Sequence, residues 1–371
     1  MRKPFIYIIS LFLIVCFMNS SALADEQNTA RFTLNEVITK VLENSKDVKK
    51  AKLAIDKAEE QRDNNADLVS YVPTTGSNSP EEEHTWYNLL SSDMTWELSK
   101  KSYAAEEDKQ VLNACKMYWD VQNALEKLNA KKLGLSYSKL YLQRVQAMNR
   151  LGMIPSDVSQ GTSPQQAITD AERLVEKAES DLTASENEVN SAYDALNQAI
   201  GFSVEERPLL IDEIKFEPLE IDNLEVEVQR AIELNPNIWQ LDESVKLAKY
   251  SYDMLYASGI YTPYKIRQIN KNEAELNSAT AKDAARLATR ALYYAVINLE
   301  DGYNAADKSV TGAAESLRVS QLLYDLGMIT REQLLNKESL LAEAKLARLN
   351  IVAEHSYMKL AFQKPWAVSA N

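Results

Sequence analysis

The sequence predicts an all-α fold: two tandem repeats of long antiparallel coiled-coil helical hairpins, with at most a vestigial β segment. Three observations predict it. Glycine and proline are scarce, 9 and 10 in 371 residues, whereas turn-rich β folds need frequent punctuation. Sequence blocks recur in the same order at fixed displacements, the mark of an internal repeat. Apolar residues also recur every seven positions along the longest uninterrupted stretches, as helices that pack lengthwise require.

At the N-terminus, Arg2 and Lys3 precede a nearly unbroken apolar run from Phe5 to Met18, and Ala22-Leu23-Ala24 follows as a small-x-small site. This is the layout of a secretory signal peptide over residues 1–24, the run being short for a membrane span. An uncleaved anchor is the alternative, and Val15 before Cys16 argues against a lipoprotein signal. Cleavage removes Arg2 and Lys3 and leaves 39 basic residues against 54 acidic, a net charge of −15 in place of −13. Such a surface disfavours nucleic acid and anionic lipid as partners. Only Cys115 remains after cleavage, so packing rather than disulfides must supply stability. No later stretch reaches the ~20 apolar residues of a spanning helix.

The repeats divide the chain into residues 25–221 and 222–371. Leu34 to Val48 contains Val41-Leu42-Glu43-Asn44-Ser45-Lys46-Asp47-Val48. At the offset that carries Leu34 onto Leu224 lies Ala231-Ile232-Glu233-Leu234-Asn235-Pro236-Asn237-Ile238. Each block reads as a short amphipathic helix, a polar break and a second helix, with Pro236 in a first turn that needs no N–H from it. At a second fixed offset, Tyr118-Trp119 falls on Tyr293-Tyr294, and Leu151-Gly152-Met153-Ile154 matches Leu326-Gly327-Met328-Ile329 letter for letter.

Between these blocks run the seams. Val121, Leu128, Leu135 and Leu142 form one; Val296, Tyr303, Val310, Leu317 and Tyr324 form the other. Tyr103 to Arg150 holds no proline and only Gly134, so about 48 residues reach ~70 Å at 1.5 Å each. Gly152 and Gly327 stand where the heptads stop, as left-handed helix terminators or as terminators that also dock a partner. Thr330 with Gln333 reads as a capping box opening the return helix. The first tip carries about 11 residues more than the second, which the prolines and glycine of Pro155 to Pro164 assign to an enlarged loop.

The chain carries little sign of catalytic chemistry. His84 and His355 are remote in sequence and no Cys/His spacing suits a metal, so no metal ligands and no cofactor are predicted. The Glu81-Glu82-Glu83-His84 run reads as a solvated acidic loop, and Cys115 as a packing residue. No phosphate loop, nucleophile elbow or H-E-x-x-H occurs, which argues against an enzyme.

Three sets of residues together resemble the TolC-like outer-membrane efflux family. They are the paired openings Leu34 to Val48 and Leu224 to Ile238, the aromatic blocks Tyr118 to Val121 and Tyr293 to Val296, and the tip Tyr324 to Leu335. The likeness spans about Phe32 to Gln363, and Tyr193 to Gly201 is similar to that family's repeat ending. It implies a homotrimeric duct of the cell envelope, in the periplasm or outer membrane, for efflux or secretion. It also implies that Leu151, Gly152, Met153, Ile154, Leu326, Gly327, Met328, Ile329 and Thr330 meet a periplasmic adaptor of an export pump. The sequence departs from the family where each repeat should insert two spanning strands, at Val69 to Leu98 and at Gly259 to about Asn272. A strand pair needs at least ~22 residues; the first interruption is barely long enough and the second is too short, so no ordinary barrel is expected. Met94, Trp96 and Leu98 offer one strand-like alternation. Trp86, Trp96, Tyr261 and Tyr264 are expected at that end of the rod, as a hydrophobic plug or an interfacial belt that would leave membrane contact open. The alternative to a duct is a barrel-less secreted coiled-coil protein with a structural or binding role.

Overall fold

The computed structural model describes residues 30–72, 79–153, 163–253 and 264–368. The predicted signal peptide lies outside them, as do Ile154 and Tyr261. In chain order the elements are β1 (Arg31–Phe32), α1 (Leu34–Asn44), α2 (Lys46–Asp67), α3 (Pro80–Arg150) and α4 (Pro164–Ile200). They continue with β2 (Leu209–Leu210), α5 (Leu224–Leu234), α6 (Pro236–Asp253), α7 (Tyr264–Asp325), α8 (Arg331–Gln363) and a 3-10 turn (Pro365–Ala367). Among the described residues the chain is all-α apart from the parallel pair β1–β2, in which Arg31 stands opposite Leu209.

Local chemistry sets the helix starts. The offset from Leu34 of α1 to Leu224 of α5 equals that from Lys46 of α2 to Pro236 of α6. Thr33 opens α1 with a capping box to Glu36, and Asn223 caps α5 through Glu225 N. Ser45 Oγ accepts from Val48 N at 3.2 Å, and Asn235 Oδ1 accepts from Asn237 N at 2.9 Å, so a polar break restarts each second helix. Pro236 is the first helical residue of α6, as its missing N–H predicts.

Two helices carry the architecture. α3, at 71 residues, extends about 105 Å, and α7, at 62, about 93 Å. Both run from the interhelix connections at one end to the glycine tips at the other. α2 and then α4 cover successive halves of α3, while α6 and then α8 do the same for α7. The row is completed by α3 packing on α6 and α8. The helices therefore stand in the order α2–α3–α6–α7 in one half and α4–α3–α8–α7 in the other. Among the described residues α7 forms no extended interface with α2 or α4, so the row stays open.

The predicted seams lie inside this row. Val121, Val296 and Val310 are buried, while Leu128, Leu135, Leu142, Tyr303 and Leu317 are half-buried; Tyr324, next to the tip, is 37% exposed. The main core forms where α1, α3 and α4 meet, around Val37, Val41, Tyr118, Val121, Leu196 and Ile200.

The sequence expectation needs correction at the interruptions. α3 starts at Pro80, well before Tyr103, so the connections shrink to residues 68–79 between α2 and α3 and 254–263 between α6 and α7. The acidic run expected as a solvated loop is instead the first turn of α3. Ser79 caps it reciprocally with Glu82, and Glu81, Glu82 and Glu83 complement the helix dipole. The spacing of Met94, Trp96 and Leu98 is helical too. At the tips, residues 151–163 separate α3 from α4 but only 326–330 separate α7 from α8. Most of the extra length of the first tip thus lies between its helices.

Among the described residues three glycines adopt positive φ, Gly152 at 68°, Gly201 at 78° and Gly327 at 70°. A Cβ at Gly152 or Gly327 meets nothing within 4 Å, whereas at Gly201 it meets Asn44 Nδ2 at 2.9 Å, an amide that donates to Ala199 O. Gly152→Ala and Gly327→Ala should each cost about 1–2 kcal/mol from the left-handed backbone alone. Gly201→Ala should cost about 1 kcal/mol more as the Asn44 hydrogen bond is lost. Urea unfolding of the three variants gives the order.

Candidate functional site

The two long helices end in one geometry. At the first, Gly152 N donates to Asn149 O at 3.0 Å and Met153 N to Met148 O at 3.0 Å. At the second, Gly327 N donates to Tyr324 O at 2.9 Å and Met328 N to Leu323 O at 2.8 Å. Each donor and acceptor of the second tip is the repeat counterpart of one in the first. This closure satisfies carbonyls that the ending helix leaves open, and it requires the left-handed glycine. It also turns the flanking side chains outward: Leu151 is 73% exposed, Met153 53%, Leu326 74% and Met328 69%. Ile329 is half-buried, and Thr330 Oγ1 caps α8 by accepting from Gln333 N at 3.2 Å.

An ion pair places both tips at the same end. Arg144 Nε, in the closing turns of α3, lies 3.2 Å from Glu332 Oε2 in the first turn of α8, and Glu332 is 6% exposed. At the opposite end Arg267 Nη1 of α7 lies 2.9 Å from Glu83 Oε1 of α3 and donates to Ser251 O at 2.5 Å. Burial first, then the Glu83 charge, push the nearby Tyr250 hydroxyl above its ordinary range.

Of the aromatic residues expected at this opposite end, Trp86, Trp96 and Tyr264 lie among the described residues. Trp86 is half-buried on α3. Trp96 sits about 15 Å further along the same helix. Lys100 Nζ stands 3.5 Å from its ring centroid and Arg62 4.9 Å, so cations occupy it. Tyr264 is 43% exposed and shares a 2.5 Å hydroxyl contact with Tyr252.

Sequence reasoning missed a ridge on α7. Ile269, Leu276, Leu287 and Tyr294 are 51%, 68%, 72% and 56% exposed. Their spacings are seven, eleven and seven, and Ala305, Gly312 and Val319 continue the series, all exposed. Seven and eleven residues are close to two and three turns, so these side chains stand on one line. It faces away from the buried seam, at the open flank of the row. The exposed positions of α4 at the other flank include the small residues Ser180, Ala184, Ser191 and Ala195.

Among the described residues no three His, Cys, Asp or Glu side chains converge as metal ligands. His84 is exposed; His355 is buried, with Nε2 3.2 Å from Glu300 Oε1. Cys115 is buried within the main core, and burial pushes its thiol up to about 11. Alkylation at pH 8 should therefore run on the order of a hundredfold slower than for a free cysteine and rise steeply toward pH 11. Iodoacetamide kinetics on folded protein measure this. Arg267→Ala strands the Glu83 carboxylate and should cost about 3 kcal/mol, much of it recovered in the double variant with Glu83→Ala. Urea unfolding of the single and double variants reads the difference.

No protein-family model matches the chain, and no curated protein does. Solved structures do match. CusC, reported in work on folding and transmembrane channel formation, aligns with a TM-score of 0.64 at 13% identity, over 93% of this chain and 95% of that one. The open state of the Neisseria gonorrhoeae MtrE outer membrane channel gives 0.58 at 16%, over 90% and 88%. The Vibrio cholerae outer membrane protein VceC gives 0.60 at 12%, over 89% and 95%. The chain thus has the fold of the TolC-like outer-membrane channels.

Proposed function

We propose that this chain is a subunit of an export duct in the cell envelope, a homotrimer with no enzymatic role. The carrying observation is the open helix row, whose α7 flank exposes an apolar ridge along its length. A helix with one such stripe gains stability by burying it, and a row with two unlike flanks closes by repeating into a ring. In a ring, the α7 ridge of one subunit meets α2 and α4 of the next. The neighbours of this fold include proteins described as outer membrane channels, which supports the same reading. The two repeats, divided at residues 221 and 222, supply one hairpin tip each. Leu151, Gly152, Met153, Leu326, Gly327, Met328, Ile329 and Thr330 then face a periplasmic adaptor: protruding apolar side chains beside a small residue make a compact anchor for a partner. Ile154, also expected there, is outside the described residues.

A second reading is a barrel-less secreted coiled-coil protein with a structural or binding role. The connections favour it, because the spans 68–79 and 254–263 are each far shorter than two spanning strands and their turn require. Both readings place the mature chain outside the cytoplasm, following the predicted signal peptide.

Sedimentation of mature protein purified without detergent separates them. The duct reading expects a three-chain particle, with Leu276→Glu combined with Leu287→Glu shifting it to monomer while helicity by circular dichroism is retained. A wild-type rod that stays monomeric at every concentration up to its solubility limit overturns the duct.

A further inference from the structure

The segment joining the two halves, between α4 and α5, crosses the molecule as an anchored strap. At one anchor Asp212 N donates to Tyr118 Oη at 2.9 Å, Asp212 Oδ2 accepts from Leu34 N at 2.8 Å, and its carbonyl accepts from Gln122 Nε2 at 2.5 Å. At the other, Phe216 stacks on Tyr303 with centroids 3.8 Å apart, Leu219 N donates to Glu300 Oε1 at 2.7 Å, and Glu217 O accepts from Lys359 Nζ at 3.1 Å. Between the anchors, Glu213, Ile214 and Lys215 make no hydrogen bond among the described residues.

Beneath that span lies a cavity of about 660 Å³. Its walls are Leu34 and Ile38 of α1, Val111 and Trp119 of α3, and Leu360 of α8, with Ile214 in the roof. The volume is that of pockets for drug-sized molecules, about 300–1,000 Å³, and such pockets combine apolar walls with a few polar groups. The charges come from the strap and from Lys359 of α8, and sum to one negative: Asp212, Glu213 and Glu217 against Lys215 and Lys359. Asp212 is committed to the Leu34 amide and Lys359 to Glu217. The one net negative charge gives an anion no attraction, the helix walls are otherwise largely apolar, and Ser356 offers a hydroxyl at the wall.

We infer that this cleft is a binding site for an uncharged, largely apolar small molecule held between α1, α3, α8 and the strap. The strap, fixed at both ends and unbonded in its middle, admits the ligand by bending outward at Glu213–Lys215. This site does not rest on the duct reading, since all its walls come from a single chain.

Fluorescence titration of the mature protein with N-phenyl-1-naphthylamine, a neutral probe that brightens in apolar surroundings, tests the inference. Saturable binding of one probe per chain is expected. Val111→Trp and Ile38→Trp, which fill the cavity from two walls, should each weaken binding at least tenfold. Val226→Ser, at an exposed position of α5 away from the cleft, should leave it unchanged. Photolabelling of the unmodified protein with benzophenone, followed by peptide mapping, locates the site without a variant. Adducts within 111–119 or 211–217 support it. No saturable binding, wild-type affinity in a filled variant of normal helicity, or adducts confined to 264–325 overturns it.

Discussion

A helix of 71 residues cannot stand alone, and the whole molecule follows from how α3 is kept company. Its seam presents Val121, Leu128 and Leu135 at heptad spacing, so it must be covered along its length. No single return helix of this chain is long enough: α2 and α4, with 22 and 37 residues, share the task on one side. α6 and α8 cover the other side and pack still more extensively on α7. Because each short helix restarts from its own cap, the halves of the rod can differ in partners while the two long helices remain continuous.

Stability is distributed accordingly. The largest cluster of fully buried side chains sits midway, where Tyr118 and Leu196 meet α1. Toward the tip the core thins to Val145 with Ala167 and Ala171. Small residues there let the backbones approach, but they bury little apolar area, so the tip halves depend on mutual packing more than on a core of their own.

Much of this was legible in the residues themselves. Glycine at 152 and 327, with the same flanking letters, announced identical helix endings, because only a left-handed residue closes a helix in that way. Thr330 with Gln333, and Pro236 after Asn235, marked helix starts through hydrogen-bond accounting. The extent of α3 was not legible. Glu81 to Glu83 looks like a solvated run unless Ser79 is recognised as a cap, and Met94, Trp96 and Leu98 fit two periodicities at once. The α7 ridge escaped notice because its spacing mixes seven and eleven, so a search tuned to strict heptads steps off the line after Leu276. The strap cavity has no sequence signal at all, since its walls come from three helices and a linker remote from one another along the chain.

The two buried ion pairs at the ends of the rod carry a consequence for assembly of the fold. α3 offers a carboxylate at one extremity, Glu83, and a guanidinium about 90 Å away, Arg144. Their partners in the second half are reversed in sign, Arg267 and Glu332. Heptad seams alone are nearly indifferent to direction and to slips of one repeat. Were the halves to dock upside down, glutamate would confront glutamate and arginine would confront arginine in sites shielded from water. The polarity of the rod is therefore written in two charges at each extremity, like a key cut to enter its lock one way round.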